Sequence, residues 1–524
     1  MTDSNTSVGQ RMGVAALMLS ASILLSRVLG FAREVIISNQ YGASVQTDAY
    51  LAAFTLPELM SYFLAGGTLS ITFIPLFSSY VAKGDEEGGW KLFSTIATTF
   101  GLILVTCVVL AMIFAPSLTP LIAPGFKDPQ SMDLVVSMTR IVLPAQLAFY
   151  FGGLLQATLF VKETFWTAAV APLIYNACII TCGVALGPWI GIQGFSVGVL
   201  VGSMLGPLSV PLWAARKHIK YRFRISLRDP DVRAFLKLSL PLMLGATLVT
   251  VDDYFIRYFG SLEDKGSITW MNNSRKLMMV LFAIIGQAAG QAALPYLTRL
   301  FHEGKDDEMG QMLTTSTQRV VFLSVCASAG LMAVSSPLVF TIFQHGEFSV
   351  SSATTTAQLL IIFSFGLTAW TVQSFAVRGF YARRDTFTPM VFGTVVLGLM
   401  IPVYWGLSST FGVYGLAIAS SVGITINAIV TLVVYARRYG HIQFTPMLKS
   451  LGRALAVAAV AGGATATTAY FGQPWFDIEV VWQSGVLLSL CAVVYLVCFG
   501  GAVLLLKPQE MDVVMDRIRA KLKR

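Results

Sequence analysis

Long apolar stretches alternate with short polar loops along almost the whole chain of 524 residues. A membrane-spanning helix needs about 20 mostly apolar residues. The sequence predicts fourteen such spans, near residues 13–37, 46–80, 92–115, 134–160, 165–187, 190–214, 235–258, 268–298, 313–337, 354–381, 387–408, 411–436, 451–471 and 484–506. Glycine and proline interrupt the second and eighth spans, which membrane helices tolerate where the backbone lines a cavity or is covered by protein.

Lysine and arginine are concentrated in every second loop, and this bias predicts how the spans are oriented. The richest segment is 216–237, and the loops on the opposite side are nearly bare apart from Lys127 and Lys265. This alternation predicts an even number of spans with both termini in the cytoplasm. The polar N-terminus leads into a long apolar run with two arginines and no small-residue cleavage site, which predicts a first span and not a removable signal peptide.

Composition agrees with the span pattern and excludes several protein classes. Hydrophobic residues make up 55% of the chain and charged residues 12%, whereas soluble domains carry about 25% charged residues. A soluble enzyme and a disordered scaffold are therefore excluded. The net charge of +9 reflects the basic loops and does not indicate nucleic-acid binding. The six cysteines lie in apolar runs and predict no disulfide framework.

A weak internal repeat recurs at a spacing of about 222 residues. Gly125-Phe126 matches Gly346-Glu347-Phe348, and the segment 162–165 matches 384–387. Corresponding points are separated by six spans, an even number, which predicts parallel repeats about an axis normal to the membrane. We therefore expect an all-α polytopic membrane protein with two pseudo-two-fold-related six-helix lobes and two extra C-terminal helices.

The repeat also predicts the domain boundaries. They are an N-terminal lobe at 1–215, a cytoplasmic basic linker at 216–237, a C-terminal lobe at 238–440, the two extra spans within 441–506 and a cytoplasmic basic tail at 507–524. Two interpretations of residues 511–524 stay open. The segment is either an amphipathic helix that meets anionic lipid or a solvated tail that only fixes topology.

Ionisable side chains at membrane depth cost at least about 2.5–3.5 kcal/mol each and so indicate function. They are concentrated in spans one, two, seven and eight. If the lobes face each other, these groups converge on a central cavity, and arginines there would suit an anion such as phosphate. The alternatives are that some are internal salt bridges between helices and that Arg33, Glu34 and Arg257 extend to the membrane interface. The polar and charged residues of these spans are Arg27, Arg33, Glu34, Asp48, Glu58, Asp252, Asp253, Arg257, Asn272, Asn273, Arg275 and Lys276.

The sequence contains no catalytic constellation. Its four histidines lie in or near loops, and no Walker sequence is present, so nucleotide hydrolysis is excluded as the energy source. We expect no metal site and no cofactor. A coupling cation or the membrane potential remains as the driving force, and Asp252 or Asp253 could bind such a cation.

Residues 26–34, which read SRVLGFARE, resemble the first-span motif of the MurJ/MviN family of bacterial lipid II flippases. Further similar segments are TDAY at 47–50 followed by Leu56-Pro57, APGF at 123–126, Gly266-Ser267, Leu294-Pro295, FQHGEF at 343–348 and GFYAR at 379–383. The resemblance runs from about residue 12 to residue 500.

This resemblance implies a transporter of the multidrug/oligosaccharidyl-lipid/polysaccharide exporter superfamily, with two lobes around a cationic cavity. The implied substrate is lipid II, the undecaprenyl-diphosphate-linked disaccharide-pentapeptide, moved by alternating access across the bacterial inner membrane. Spans thirteen and fourteen would form a groove for the undecaprenyl tail. Membrane lipids are further expected partners, and envelope-assembly proteins are conceivable ones.

The resemblance implies roles for Arg27, Arg33, Asp48 and Lys276, and the charge pattern of the spans adds the other candidates. The residues expected to bind the diphosphate are Arg27, Arg33, Arg275 and Lys276. The residues expected to form the polar part of the cavity, with a role in ion coupling, are Asp48, Glu58, Asp252, Asp253, Asn272 and Asn273.

The chain departs from the family pattern in spans two and eight. Ser61-Tyr62 stand where many members carry two arginines, and Gly66 replaces a glutamate. In span eight Arg275-Lys276 replace an expected Asp-Arg, and Met279 replaces a glutamate. These departures leave open a flippase for another polyprenyl-diphosphate-linked glycan. A cation-coupled drug exporter needs a cavity richer in carboxylates, and a non-transporting scaffold would tolerate loss of both first-span arginines.

Overall fold

The computed structural model describes residues 8–65, 72–226, 228–244, 248–512 and 516. Helices account for 86% of the structure, and the described residues contain no strand. The chain divides into two compact units, one of Met1–Ile37 with Ser44–Gly245 and one of Ser38–Ala43 with Ala246–Arg524. Gly66 and nearly all of the tail beyond Asp512 lie outside the described residues.

The first unit is built from α-helices that are broken at proline and glycine. They are α1 (Val8–Tyr41, which ends in the second unit), α2 (Val45–Ala53), α3 (Thr55–Ala65), α4 (Ile74–Ala82), α5 (Glu86–Ile122), α6 (Pro129–Val142), α7 (Ala145–Val161), α8 (Trp166–Ile190), α9 (Gln193–Ser203), α10 (Ser209–Ala215) and α11 (Pro230–Leu244). A π-helical turn at Met204–Leu208 joins α9 to α10.

Small residues allow α9 to pack closely on α8. A Cβ on Gly198 would lie 2.7 Å from the Ile179 Cα, and one on Gly206 would lie 2.4 Å from the Ala171 carbonyl oxygen. Since no side chain fits there, the four-residue spacing of glycines acts as a small-residue packing motif of membrane helices. The close contact fixes α8, which carries Asn176.

The second unit contains the remaining helices. They are α12 (Leu248–Ser261), α13 (Ser267–Phe282), α14 (Ala288–His302), α15 (Asp306–Ala333), α16 (Ser335–Phe343), α17 (Val350–Ala382), α18 (Phe387–Tyr439), α19 (Phe444–Gly472) and α20 (Val481–Leu506). A π-helical turn at Ala283–Gln287 joins α13 to α14, so the interrupted eighth span is one continuous helix.

Nine helices within the described residues are long and apolar enough to cross a membrane, or ten if the bent pair α15 and α16 is one span. The chain is therefore an all-helical, multi-pass membrane protein. One of the nine, α18, covers two predicted spans, because the backbone turns at Gly412 with φ 58° and ψ −139°. The count of fourteen and the cytoplasmic placement of both termini stay predictions.

The same turns recur in the two units about 220 residues apart. Gly191 and Gly412 both have positive φ, at 61° and 58°. Glu163 and Arg384 also have positive φ, at 57° and 61°, which is uncommon for residues with a side chain. The turns lie near the spacing that the internal repeat predicts.

An ion pair accompanies the turn in each unit. In the first unit Lys162 Nζ lies 3.3 Å from Glu86 Oε1. In the second unit Arg383 Nη2 lies 2.5 Å from Asp306 Oδ1. Each pair joins the start of one long helix, α5 or α15, to the end of a later one, α7 or α17. The repeat therefore preserves a side-chain contact as well as a backbone turn.

Candidate functional site

A polar seam joins α1 to α8 within the first unit. The Arg33 guanidinium lies 2.8 Å from the buried Glu34 carboxylate and also donates to the Asn176 side-chain oxygen at 3.3 Å. The Asn176 amide group donates in turn to the Ser26 hydroxyl at 3.4 Å and to the Pro172 carbonyl at 3.0 Å. Arg33 is therefore held by one charged and one neutral partner.

Helical spacing explains why these residues meet. Ser22, Ser26, Gly30 and Arg33 recur three or four positions apart, so they share one face of α1. The Ser22 hydroxyl donates to the Ala169 carbonyl, and a Cβ on Gly30 would lie 3.7 Å from the Asn176 side-chain oxygen. This narrow, polar face of α1 therefore contacts α8.

The other predicted site residues of the first unit are three charged side chains that differ in exposure. Arg27 is an exposed residue of α1. Asp48 is buried in the first turn of α2, whose N-cap is Ser44, and Glu58 is half-buried in the first turn of α3. Carboxylates at helix N-termini are stabilised by the helix dipole. Of the two first-span arginines, Arg27 is therefore the more accessible to a ligand.

A denser cluster surrounds Asp252 in the second unit. This carboxylate is buried on α12 and is the acceptor of hydrogen bonds from Arg275 on α13 and from Tyr404 and Ser420 on α18. The Ser420 hydroxyl lies 2.8 Å from Asp252 Oδ2. Three donors from two other helices thus converge on one buried charge.

Arg275 is buried together with its partner. Its guanidinium also lies 3.3 Å from Asp253 Oδ1 and 5.1 Å from the centre of the Trp370 ring on α17. A buried ion pair is tolerated only where the geometry is good and the remaining donors and acceptors are satisfied. Asp252 and its donors meet that condition, so the charge of Arg275 is balanced within the protein.

The remaining predicted residues of the second unit differ in exposure. The Asp253 side chain is 59% exposed. Asn273 is buried and donates to the Ser38 hydroxyl at 2.9 Å. Asn272 and Lys276 are half-buried on the same helix, α13. Lys276 and Asp253 are therefore the charged residues of this group that a bound molecule could reach.

Sequence reasoning missed four residues of these two clusters: Asn176, Trp370, Tyr404 and Ser420. None of them carries a charge, and each sits in an apolar span, so no periodic or compositional signal marked it. Tyr404 and Ser420 are 152 and 168 positions from Asp252 along the chain. Only the fold brings them to it.

No group of three or more histidine, cysteine, aspartate or glutamate side chains is placed to hold a metal ion in the described ranges. The Asp252 cluster uses an arginine where such a site would need another carboxylate or imidazole. Its chemistry is that of an internal ion pair.

An apolar groove with a volume of about 730 Å³ lies in the second unit. Its walls come from the joined helices α13 and α14, from α15 and α17, and from α20. Among the described residues, the lining includes α20 but none of α19, although both predicted extra spans were expected to form a groove. The lining residues are Ile284, Ile285, Ala289, Ala292, Ala293, Tyr296, Met312, Ser316, Arg319, Val320, Leu323, Cys326, Ala327, Phe375, Tyr495, Leu496 and Phe499.

The groove is suited to a hydrocarbon chain. Most of its lining is aliphatic or aromatic, and a hydrogen bond from the Tyr495 hydroxyl to the Cys326 carbonyl ties α20 to α15. Burial of apolar surface there stabilises a bound chain by about 25 cal/mol per Å². Arg319 is the one charged residue among those that line it.

The family model described as "Lipid II flippase MurJ" matches residues 37–485. A protein of Burkholderia cenocepacia named "Lipid II flippase MurJ" is 27% identical over 460 residues, covering 85% of this chain and 89% of the relative. Proteins named "Probable lipid II flippase MurJ" from Vibrio cholerae and Rhizobium tropici are each 26% identical, over 432 and 517 residues. They cover 80% and 97% of this chain, and 82% and 96% of their own length.

Solved structures share the fold at lower identity. The structure titled "Lipid II flippase MurJ, inward closed conformation" has a TM-score of 0.76 at 21% identity, covering 92% of this chain and 98% of that one. An inward-facing multidrug resistance MATE family transporter of the MOP superfamily has a TM-score of 0.65 at 14% identity, covering 83% and 99%. The fold is thus one that transporters adopt.

Proposed function

Since the chain belongs to the lipid II flippase MurJ family, we propose that it moves lipid II from the cytoplasmic to the outer leaflet of the bacterial inner membrane. The match of the family model over residues 37–485 is the observation that carries this proposal. Family and fold together indicate a transporter and not a catalytic enzyme.

The diphosphate of the substrate needs accessible cations. Arg33 and Arg275 each have a carboxylate partner within their own unit. By their exposure, Arg27 in the first unit and Lys276 in the second unit are each the cation of their own unit that we propose for contact with the anionic substrate. Arginine can hold a phosphate through two parallel hydrogen bonds, whereas lysine acts as a point charge. Arg33 and Arg275 then position the helices that carry those two residues.

The polyprenyl tail needs an apolar path, which the groove of about 730 Å³ offers. A long hydrocarbon chain can stay in that groove or in surrounding lipid while the polar headgroup moves. Only the diphosphate, the sugars and the peptide then have to be shielded from hydrocarbon, which is the expensive part of the transfer. The polar headgroup therefore crosses the membrane while the polyprenyl tail stays in an apolar environment.

Alternating access is the mechanism that this division favours. The diphosphate site opens first toward one leaflet and then toward the other, while the tail stays at membrane depth. Asp252 already has Arg275 as its cation. If a cation drives the change, the exposed Asp253 is where it would act, since its charge is accessible.

A replacement assay tests the proposal. The chain is expressed in a bacterium whose own lipid II flippase can be shut off, and the lipid II that reaches the outer leaflet is measured. We expect wild-type protein to restore outer-leaflet lipid II. Arg27→Ala should abolish it, and Arg27→Lys should restore only part of it because the bidentate contact is lost.

The matched control is Arg299→Ala, since Arg299 is an exposed arginine of α14 whose partner is Glu303 and which lies outside both clusters. It should transport as wild type does. Flipping that persists fully in Arg27→Ala would contradict the anion site. A well-expressed wild-type chain that delivers no lipid II, but does export another polyprenyl-diphosphate-linked glycan, would reassign the substrate.

A further inference from the structure

We propose that a polar pocket in the second unit, beside the turn between α19 and α20, binds a neutral sugar on the outer side of the membrane. The pocket has a volume of about 580 Å³ and shares no lining residue with the apolar groove. The proposal deepens the proposed function and rests on it, because the sugar would be the glycan part of the lipid after it has crossed.

The bias of basic residues predicts that this pocket faces outward. The turn at 473–480 contains no lysine or arginine. The chain next to the opposite ends of the same two helices carries Arg437, Arg438 and Lys507. Basic residues mark the cytoplasmic side, and α19 and α20 are each long and apolar enough to cross the membrane. A headgroup that meets the pocket has therefore already been moved outward.

Hydrogen bonds fix the walls of the pocket. The Ser484 hydroxyl donates to the Pro337 carbonyl at 3.0 Å, which ties α20 to α16. Within the turn, the Asp477 backbone N–H donates to Gln483 Oε1 at 2.7 Å, and the Glu479 N–H donates to Asp477 Oδ1 at 3.0 Å. Asp477 thus shapes the turn, whereas the Gln483 NH₂ group and the Glu479 carboxylate remain available to a ligand.

The polar groups of the pocket do not suit an anion or a small cation. None of its lining residues is basic and two are carboxylates, so a phosphate would be repelled. Its volume lies within the range of about 300–1,000 Å³ that is usual for small-molecule sites. A metal ion or an ammonium group would fill little of it and would leave the neutral polar side chains unused. These side chains are Ser336, Thr354, Gln473 and Gln483.

A pyranose ring uses every kind of group in this pocket. Its hydroxyls both donate and accept, which matches amides, hydroxyls and carboxylates together. Its C–H face is apolar and can cover an aromatic ring. Trp475 lines the pocket and is 84% exposed, so its indole is available for such a contact. A neutral ligand rich in hydroxyls therefore fits better than a charged one.

An exposed tryptophan can also serve as an anchor at the membrane interface. The same part of the chain offers a matched control for that role. Trp482 is 67% exposed but does not line the pocket. A sugar site requires Trp475 and not Trp482, whereas interfacial anchoring makes no such distinction.

Titrations followed by saturation-transfer NMR test the site on the purified full chain, in a detergent without a sugar headgroup. The probes are diacetylchitobiose, a neutral disaccharide, and 1,5-diaminopentane, a cation without hydroxyls. We expect the disaccharide to bind and the diamine not to bind at the same concentration. Trp475→Ala should raise the Kd of the disaccharide by about tenfold, and Trp482→Ala should leave it unchanged. Glu479→Ala should raise it by about three- to tenfold, whereas Glu479→Gln, which keeps an acceptor, should change it less.

Three results would overturn the proposal. They are no binding of the disaccharide to the wild-type chain, equal binding by wild type and Trp475→Ala, and binding of the diamine that Glu479→Gln abolishes. Elution as a single species and an unchanged melting temperature establish that each variant is folded. If disaccharide binding depends on Trp475 but the chain delivers no lipid II in cells, the sugar pocket stands and the proposed function fails. If the chain delivers lipid II but does not bind the disaccharide, the pocket fails and the proposed function stands.

Discussion

The buried pair of Asp252 and Arg275 makes the most direct test of how this protein tolerates charge at membrane depth. The perturbation is a double-mutant cycle of Arg275→Met, Asp252→Asn and the two together. Methionine keeps the length and apolar volume of the arginine stem. Tyr404 and Ser420 donate to different oxygens of Asp252, and asparagine keeps one of these two acceptors.

The structure predicts unequal costs for the two single changes. Arg275→Met leaves the Asp252 carboxylate buried with only two neutral donors, and breaking a buried pair in this way costs about 3–5 kcal/mol. Asp252→Asn leaves Arg275 with Asp253, 3.3 Å away, so we expect about 1–3 kcal/mol. The double variant should be less destabilised than the sum by about 3 kcal/mol, which exceeds the typical cost of Asp252→Asn, since it no longer buries an unmatched charge.

Thermal unfolding of the purified protein in one detergent measures all four members of the cycle. The ordering of the melting temperatures should be wild type, then Asp252→Asn, then the double variant, with Arg275→Met lowest. The same four proteins are then compared in the replacement assay. If Arg275 positions α13 and does not touch substrate, the double variant should recover transport relative to Arg275→Met.

Two results would refute this reasoning. Additive losses of stability would mean that Asp252 and Arg275 do not interact as the geometry indicates. A double variant that regains stability but stays inactive would mean that Arg275 contacts the diphosphate itself. The second result would restore the role that the sequence predicted for this arginine.

Three further perturbations test other contacts. Arg383→Ala should lower stability by about 2 kcal/mol, mostly through lost aromatic packing and hydrogen bonding. Asp306→Ala should cost under about 1 kcal/mol, because that carboxylate is half-exposed. Equal melting temperatures for the two variants would contradict this difference. Asn176→Leu should lower stability by about 1–2 kcal/mol, because it leaves Arg33 with one partner fewer. An unchanged melting temperature would mean that the contacts between Arg33 and Asn176 do not stabilise the protein. Burial opposes ionisation of Glu510, but hydrogen bonds from Arg453 prevail and lower its pKa below the usual 4.5. The stability that Glu510→Gln removes at pH 7 should therefore be lost as the pH falls through that lowered pKa. A difference in melting temperature that persists in acid, where Glu510 is protonated, would argue against the ion pair.

The apolar pattern and the charge distribution were enough to predict the class of the protein and the kind of site to expect. Apolar run length, the bias of lysine and arginine between loops and the shortage of charge predicted an all-helical membrane protein, and the structure and family confirm this. These features can be read from the sequence because hydrocarbon thickness and the cost of burying charge act on each segment separately. The motif SRVLGFARE at 26–34 indicated the family because its residues are contiguous and can be recognised without knowledge of the fold.

The partners of the charged residues were decided only by the tertiary structure. The sequence could place Arg33, Asp252 and Arg275 in predicted spans, but it left open whether each binds a ligand or a neighbouring helix. Asn176 lies 143 positions from Arg33, and Ser420 lies 168 from Asp252. Whether a buried charge is already neutralised depends on groups within a few ångströms of it. Those groups are brought together by helix packing, which no local pattern records.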